Sequence, residues 1–272
     1  MRQFNAPDLR DRLPARVPLW REPLALIEWS ALRWSPTFWG LGLPRGRGEP
    51  VVVIPGFLGS DPYLADLRQW LRRAGYRPYA SGIGRNADCL DRLADRLDQT
   101  IDRAALECGQ RVHLIGHSLG GVLARGVATR RPGPIASVCT LGSPLRGLRS
   151  HPATLRAGER VRRQIQVMQD DGPADPDCYT GYCSCSFVRA LRSGAFPDDV
   201  PDLAIYTRTD GVVDWRFTRL PDASRNREVL GTHCGLAFNP QAYRHIAAFL
   251  AAASRTERGE RDDLDRSREE AA

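Results

Sequence analysis

Apolar runs and amphipathic stretches alternate along the middle of the chain, and this alternation restricts the folds that the sequence can adopt. Residues 51–54 (VVVI) are a continuous β-branched run, typical of a strand buried on both faces of a parallel sheet, and residues 112–115 (VHLI) are a second, mostly apolar run. Stretches with apolar residues at helical spacing follow each run, at about residues 61–75 and 119–130. This order predicts an α/β fold with right-handed crossovers around one mostly parallel sheet.

The same criteria predict the remaining elements of the domain. Further strands are expected at about residues 76–80, 135–141, 203–207 and 228–231, and further helices at about 23–33, at 88–107 and after Asn239. The alternation breaks over residues 145–201, where Pro, Gly, Cys and Asp dominate. We therefore divide the chain into a helical extension (1–50), an α/β domain (51–254, with an insertion at 145–201) and a charged, disordered tail (255–272).

Composition bears on two questions: whether the protein binds nucleic acid, and in which cellular compartment it is expected. The 272 residues carry a formal net charge of +7, but the basic residues are interleaved with acidic ones, so we expect no nucleic acid partner. The charged start of the chain resembles no secretory signal, and seven cysteines do not suggest a secreted disulfide framework. A cytoplasmic location is the expectation, and the sequence leaves the oligomeric state open.

The extension over residues 1–50 is rich in tryptophan, with Trp20, Trp29, Trp34 and Trp39. Its predicted helix would place Leu24, Ile27, Ala31 and Trp34 on one apolar stripe. We expect the stripe to pack on the body of the protein, near the mouth of the active site. Peripheral contact with a membrane surface, or lining of an acyl site, is the alternative.

Gly116-His117-Ser118-Leu119-Gly120-Gly121 lies between a predicted buried strand and a predicted helix. A serine hydroxyl is a weak nucleophile at neutral pH and has to be presented both to a base and to oxyanion donors. A sharp strand-to-helix turn presents it in this way and leaves little room for side chains at the glycine positions. Ser118 is therefore the candidate nucleophile, and the Leu119 N–H, at a helix N-terminus, is a candidate oxyanion donor.

From here the chain resembles the lipase and esterase branch of the α/β-hydrolase family, of the bacterial serine hydrolase type that carries a GHSLGG elbow. Besides that elbow, the matching segments are residues 53–57 (VIPGF), 141–144 (LGSP), 206–214 (YTRTDGVVD) and 231–236 (GTHCGL). The order of Ser, Asp and His along the chain is that of the fold. The resemblance implies hydrolysis of a small-molecule or lipid ester, with no metal and no organic cofactor.

The resemblance also guides the choice of the other catalytic residues. The family places the acid in the loop after a late strand, which matches Asp210, with Asp214 as the competitor. We favour Asp210, because Gly211 allows a tight turn that directs its side chain over the sheet. His233 is the candidate base, as it lies between the last strand and the final helix, with Gly231 and Gly235 on either side.

The second oxyanion donor is expected in the loop after the first strand of the sheet. By family position it is the N–H of Phe57, although Pro55 stands where family lipases carry a histidine. The insertion over residues 145–201 occupies the place of a cap or lid in this fold. Closing such a cap removes water and strengthens electrostatic interactions at the oxyanion.

Two features outside the proposed triad each have two possible interpretations. Cys178, Cys183 and Cys185 could contribute to a zinc site, but no C-x-x-C pair is present, and free thiols or one disulfide fit better. Arg85 and Asn86 could contact a substrate, or Asn86 could simply stabilise a turn.

The sequence as a whole predicts a serine hydrolase that cleaves carboxylic esters through an acyl-enzyme intermediate. An acyltransferase or a thioesterase would use the same triad. A catalytically silent scaffold that binds a lipid or a partner protein is the alternative from another class.

Overall fold

The computed structural model describes residues 13–167, 177–178, 183–193 and 195–270. A six-stranded parallel sheet lies at its centre, in the order β3-β2-β4-β5-β7-β8. Its strands are β2 (Pro50–Ile54), β3 (Arg77–Ala80), β4 (Val112–His117), β5 (Ile135–Leu141), β7 (Asp202–Tyr206) and β8 (Asn226–Glu228). The predicted α/β fold with a mostly parallel sheet is confirmed.

Helices cover both faces of this sheet. They are α1 (Ala25–Trp34), α2 (Ala65–Arg73), α3 (Leu90–Cys108), α4 (Leu119–Arg130), α5 (Pro152–Val167), α6 (Ser186–Ser193) and α7 (Pro240–Glu270). Short 3-10 helices precede α1 and α2, at Leu19–Leu24 and Asp61–Leu64.

The continuous apolar character of the central strands follows from this two-sided covering. Val52 and Ile54 of β2 contribute to a core with α3, α4 and α6, while Val51 and Val53 contribute to the opposite core with α2 and α7. All four side chains are fully buried. Successive residues of a strand point to opposite faces, so a strand with helices on both sides needs apolar residues at every position.

A second, two-stranded sheet joins the N-terminal segment to the insertion. Strand β1 (Leu13–Pro14) pairs in parallel with β6 (Arg149–Ser150), and Ser150 also forms an antiparallel bridge to Val213. Isolated pairs of this kind are too short to be foreseen from hydrophobic periodicity. They bring residues 13–14 next to the start of the insertion and to the loop that follows β7.

Among its described residues, the insertion over residues 145–201 contains β6, α5 and α6. The C-terminal tail differs from the sequence-based expectation. Residues 255–270, expected to be disordered, continue helix α7 to Glu270.

The N-terminal segment contacts the body with a different face from the one we expected. The supposed inner stripe is exposed: Ile27 is 66% and Trp34 is 89% accessible to solvent. Leu32 of α1 is buried instead, and the carboxylates of Glu22 and Glu28 face the protein. The expectation that this stripe packs on the body is therefore wrong. The segment contacts the body instead through Leu32, which lies in the core with Leu236, and through the two carboxylates.

In the described part of the chain, no helix combines the length and the apolar character needed to cross a bilayer.

Two helical glycines test the packing of α4 against α6. A Cβ on Gly126 of α4 would lie 2.3 Å from the ring of Phe187, whereas a Cβ on Gly158 of α5 would meet nothing within 4 Å. We expect Gly126→Ala to lower the free energy of unfolding by about 1–3 kcal/mol through overpacking. Gly158→Ala, the matched control, should raise it by about 0.5–1 kcal/mol. Denaturant unfolding measures both, and the opposite ranking would contradict this helix contact.

Candidate functional site

Ser118 occupies a strained turn between β4 and α4. Its backbone has φ 52° and ψ −123°, a conformation that side-chain-bearing residues rarely adopt. The Ser118 N–H donates to the carbonyl oxygen of Leu141 at 2.8 Å, which fixes the turn to the end of β5. The strain holds the side chain at the carboxyl edge of the sheet, where α/β folds bind ligands.

The glycines around Ser118 are required by the closeness of three backbone segments. A Cβ on Gly116 would lie 2.4 Å from the backbone of Gly120 and Gly121. A Cβ on Gly120 would lie 2.4 Å from the carbonyl oxygen of Ile54, at the end of β2. Side chains at these positions would therefore force β2, β4 and α4 apart.

Asp210 follows β7 and is almost completely buried. Its Oδ1 accepts hydrogen bonds from the N–H groups of Val212 and Val213, at 2.9 and 2.7 Å. Its Oδ2 lies 2.7 Å from Nδ1 of His233. Asp214 instead accepts from the N–H of Arg216 and caps a 3-10 helix, so the two candidate acids have different surroundings.

His233 is buried, and the charges around it favour its protonated form. Burial alone would lower the pKa of its imidazole, but the charge and the hydrogen bond of Asp210, together with the charge of Glu22, raise that pKa above its ordinary value. Because a carboxylate accepts the proton of Nδ1, the neutral ring carries its free electron pair on Nε2. This is the tautomer that a general base requires.

Ser118 and His233 border one cavity of about 570 Å³, a volume within the roughly 300–1,000 Å³ typical of small-molecule sites. Within the described residues, no hydrogen bond joins the Ser118 hydroxyl to the His233 ring. Catalytic hydrogen bonds of unliganded enzymes are often long and shorten when substrate binds. The structure thus brings the three predicted side chains to one place, with the pair Asp210–His233 already in contact.

The lining of this cavity is mainly apolar. It includes Phe57 and Leu119, whose N–H groups are the predicted oxyanion donors, and Leu90 from α3. Leu119 is the first residue of α4, and the first N–H groups of a helix have no partner within the helix. Helix α5 of the insertion adds Leu155 and Gly158 to the wall, so the insertion covers the site.

Asn86 positions the loop that carries Phe57. This fully buried side chain donates from Nδ2 to the carbonyl oxygen of Pro55 at 2.8 Å. Its backbone exchanges hydrogen bonds with Leu58 and Gly59, at 2.9 and 2.8 Å. Leu58 has a positive φ of 60°, and these contacts support that conformation. Of the two interpretations of Asn86, stabilisation of a turn is the one that the structure bears out.

A second histidine lies against the first. The ring centroids of His117 and His233 are 4.9 Å apart, and Nε2 of His117 lies 2.9 Å from the backbone carbonyl oxygen of His233. A carbonyl can only accept, so His117 donates from Nε2. Burial, followed by the neighbouring His233, lowers the pKa of His117 to about 3, and its ring is neutral at ordinary pH. It supports the His233 loop without adding charge.

Sequence analysis gave no role to Glu22 and Glu28, both in the N-terminal segment. The Glu28 carboxylate accepts from the N–H and the hydroxyl of Thr232, each at 2.8 Å. Glu22 accepts from the N–H of His233 itself at 3.1 Å. These two carboxylates therefore hold the loop of His233. Nothing in the local sequence pattern could have indicated contacts that span more than 200 residues.

The cysteines of the insertion meet Cys89 in the apolar core. Cys89, Cys178 and Cys183 are buried there, and all seven cysteines are free thiols. A hydrogen bond with Cys178 is the main cause that lowers the pKa of Cys89 to about 6. Within the described residues, no group of three or more His, Cys, Asp or Glu side chains is arranged to hold a metal ion.

Parts of this chain are similar in sequence to known lipases. A stretch of 151 residues is 28% identical to a triacylglycerol lipase of Burkholderia plantarii, over 51% of this chain and 42% of that lipase. A stretch of 103 residues is 32% identical to a triacylglycerol lipase of Vibrio cholerae, over 36% of this chain and 33% of that lipase. The chain thus spans less than half the length of these curated relatives.

Solved structures show the same fold. The crystal structure of a monoacylglycerol lipase from Paleococcus ferrophilus superposes with a TM-score of 0.52 at 19% identity, over 77% of this chain and 97% of that one. A metagenomic carboxyl esterase gives a TM-score of 0.54 at 14% identity, over 94% and 97% of the two chains.

One family model covers the region of the elbow. Residues 50–190 match the model described as palmitoyl protein thioesterase, just over half of the 272 residues. The resemblance to lipases is confirmed by the relatives, and the solved structures show the same fold. The chain belongs to the palmitoyl protein thioesterase family and has the α/β-hydrolase fold.

Proposed function

We propose that the protein is a serine hydrolase that cleaves carboxylic esters of small molecules or lipids through an acyl-enzyme on Ser118. One observation carries the proposal: the strained Ser118 opens onto an apolar cavity that it shares with His233, and His233 is hydrogen-bonded to the buried Asp210. A nucleophile, a base and a group that orients the base are the parts that such chemistry requires.

In this mechanism, Nε2 of His233 removes the proton of the Ser118 hydroxyl as its oxygen attacks the ester carbonyl. Asp210 keeps the imidazole in the required tautomer and stabilises the imidazolium that forms. The N–H groups of Phe57 and Leu119 stabilise the oxyanion. The imidazolium then gives its proton to the leaving alkoxide, and a water molecule hydrolyses the acyl-enzyme by the same steps.

Thioester hydrolysis is the second candidate, and the family match is compatible with it. An acyl-thioester would use the same nucleophile, base and oxyanion donors, with a thiolate as the leaving group. The apolar cavity suits the acyl part of either substrate and does not distinguish between them. A pair of substrates that share one acyl group and differ only in the leaving atom separates the two candidates.

Ser118→Ala tests the nucleophile. We expect the variant to lose labelling by a fluorophosphonate probe and turnover of both an oxygen ester and a thioester of the same acyl group, while its melting temperature stays close to that of the wild type. The ratio of the two wild-type kcat/KM values identifies the preferred leaving group. Labelling of the variant at the wild-type rate would exclude Ser118, and a wild-type protein that neither labels nor turns over would support a silent scaffold.

Asp210→Asn and Asp214→Asn separate the two candidate acids. Replacing an acid that orients the imidazole costs on the order of 10⁴ in kcat, and we expect this loss for Asp210→Asn. Asp214→Asn should change kcat little, because Asp214 caps a 3-10 helix and keeps an acceptor oxygen as asparagine. Steady-state kinetics on one ester measures both, and a larger loss for Asp214→Asn would move the acid to that position.

We further propose that the N-terminal segment contacts an anionic membrane surface. Trp20, Leu26, Ile27 and Trp34 are between 66% and 89% exposed, more than expected for large apolar side chains. Arginines stand among them, with Arg21 over the ring of Trp20 at 5.5 Å. Exposed tryptophans next to arginines are typical of segments that lie in a lipid headgroup region.

Trp20→Ser/Trp34→Ser tests this contact. Each buried aromatic side chain contributes about 1.5–3 kcal/mol, so even partial insertion predicts at least a 10-fold loss of affinity for vesicles of anionic lipid. Leu106→Ser is the matched control, because Leu106 is 86% exposed on α3, outside the segment. Co-sedimentation with vesicles measures binding. Equal binding by both variants would contradict the proposal, and a wild-type dimer that only the tryptophan variant loses would assign the surface to a second copy.

A further inference from the structure

The carboxylate of Glu22 joins the two loops that carry the proposed acid and base. Its Oε1 accepts from the N–H of Gly211 at 2.8 Å, next to Asp210, and from the N–H of His233 at 3.1 Å. Its Oε2 accepts from the N–H of Cys234 at 2.8 Å. One side chain therefore satisfies three backbone donors from two loops, which follow the neighbouring strands β7 and β8.

The chain leaves space for this carboxylate at a particular glycine. A Cβ on Gly211 would lie 2.5 Å from Oε1 of Glu22 and 2.7 Å from the carbonyl oxygen of Pro18. We expected Gly211 to permit a tight turn, yet its φ lies outside the left-handed region. The absence of a side chain at residue 211 instead allows the N-terminal segment to approach.

Glu22 also adds charge near the imidazole. The groups around His233 are Asp210 from the loop after β7, Glu22 from the N-terminal segment, His117 from β4, and its neighbour Cys234. Burial holds His117 neutral, and burial together with Glu22 raises the pKa of the Cys234 thiol to about 12. At neutral pH, the charges that act on the ring therefore come from the two carboxylates.

We propose that Glu22 is a positioning residue of the hydrolytic site: it holds the Asp210 and His233 loops in register and places a second negative charge near the imidazole. This inference rests on the proposed function of Ser118, Asp210 and His233. Glu22 itself does not line the cavity, so it acts through His233 and not on the substrate.

Glu22→Gln removes the charge and keeps the size of the side chain. The pKa of His233 then falls, so the base stays deprotonated to lower pH and the acid limb of the pH profile of kcat/KM moves to lower pH. The amide nitrogen cannot accept from a backbone N–H, so the loops shift and kcat falls by up to about 100-fold, with KM little changed. Glu22→Asp retains the charge and should keep the acid limb near the wild-type position.

Glu28→Gln is the matched control. Glu28 lies in the same segment and holds Thr232, the residue before His233, but it is not among the groups that shift the pKa of the imidazole. We expect this variant to lose stability while its acid limb stays in place. A melting temperature lowered equally in both variants, with an unchanged acid limb and kcat for Glu22→Gln, would show that Glu22 is only structural.

The rate of fluorophosphonate labelling as a function of pH also reports the position of the acid limb, and it requires no substrate. A wild-type protein that is not labelled would refute the proposed function itself. A labelled wild type and a Glu22→Gln variant with the wild-type rate and pH profile would refute the positioning role alone.

Discussion

The close approach of three backbone segments beneath Ser118 is the constraint on which the rest of the site depends. The end of β2, the end of β4 and the first turn of α4 come so near one another that a Cβ on Gly116 or Gly120 would lie 2.4 Å from a neighbouring backbone atom. The strained backbone of Ser118 persists because the buried sheet on one side and α4 on the other over-determine it. The cavity and the positions of both proposed oxyanion donors follow from that arrangement.

Loops carry the other groups of the site, and side-chain hydrogen bonds help to hold these loops in place. Asn86 holds the loop of Phe57 from inside the domain. Glu22 and Glu28 hold the His233 loop from outside it. Buried backbone N–H groups need acceptors, and a loop without a neighbouring strand has to find them on side chains. The N-terminal segment thus completes the domain as well as exposing its tryptophans.

Sequence analysis located the elements that a pattern of neighbouring residues identifies. Apolar runs identified the strands, and the glycines around Ser118 identified the elbow, because each pattern lies within a few residues. Glu22 and Glu28 resemble ordinary surface carboxylates, and their partners lie between 189 and 212 residues away. The face of α1 was misassigned for a related reason: helical spacing finds an apolar stripe but does not show whether polar contacts turn it outward.

The span between Glu22 and His233 has a consequence for biosynthesis. These residues are 211 positions apart, so Glu22 is made long before the loop that it contacts. At ~5–20 residues per second, a ribosome needs on the order of 10–40 s to reach that loop. The strands of the central sheet are synthesised during this interval, before His233, so they can pair before its loop is made. A nascent chain of this protein can therefore pair its central strands before the loop of the proposed base exists, and the proposed site can be completed only after His233 has been made.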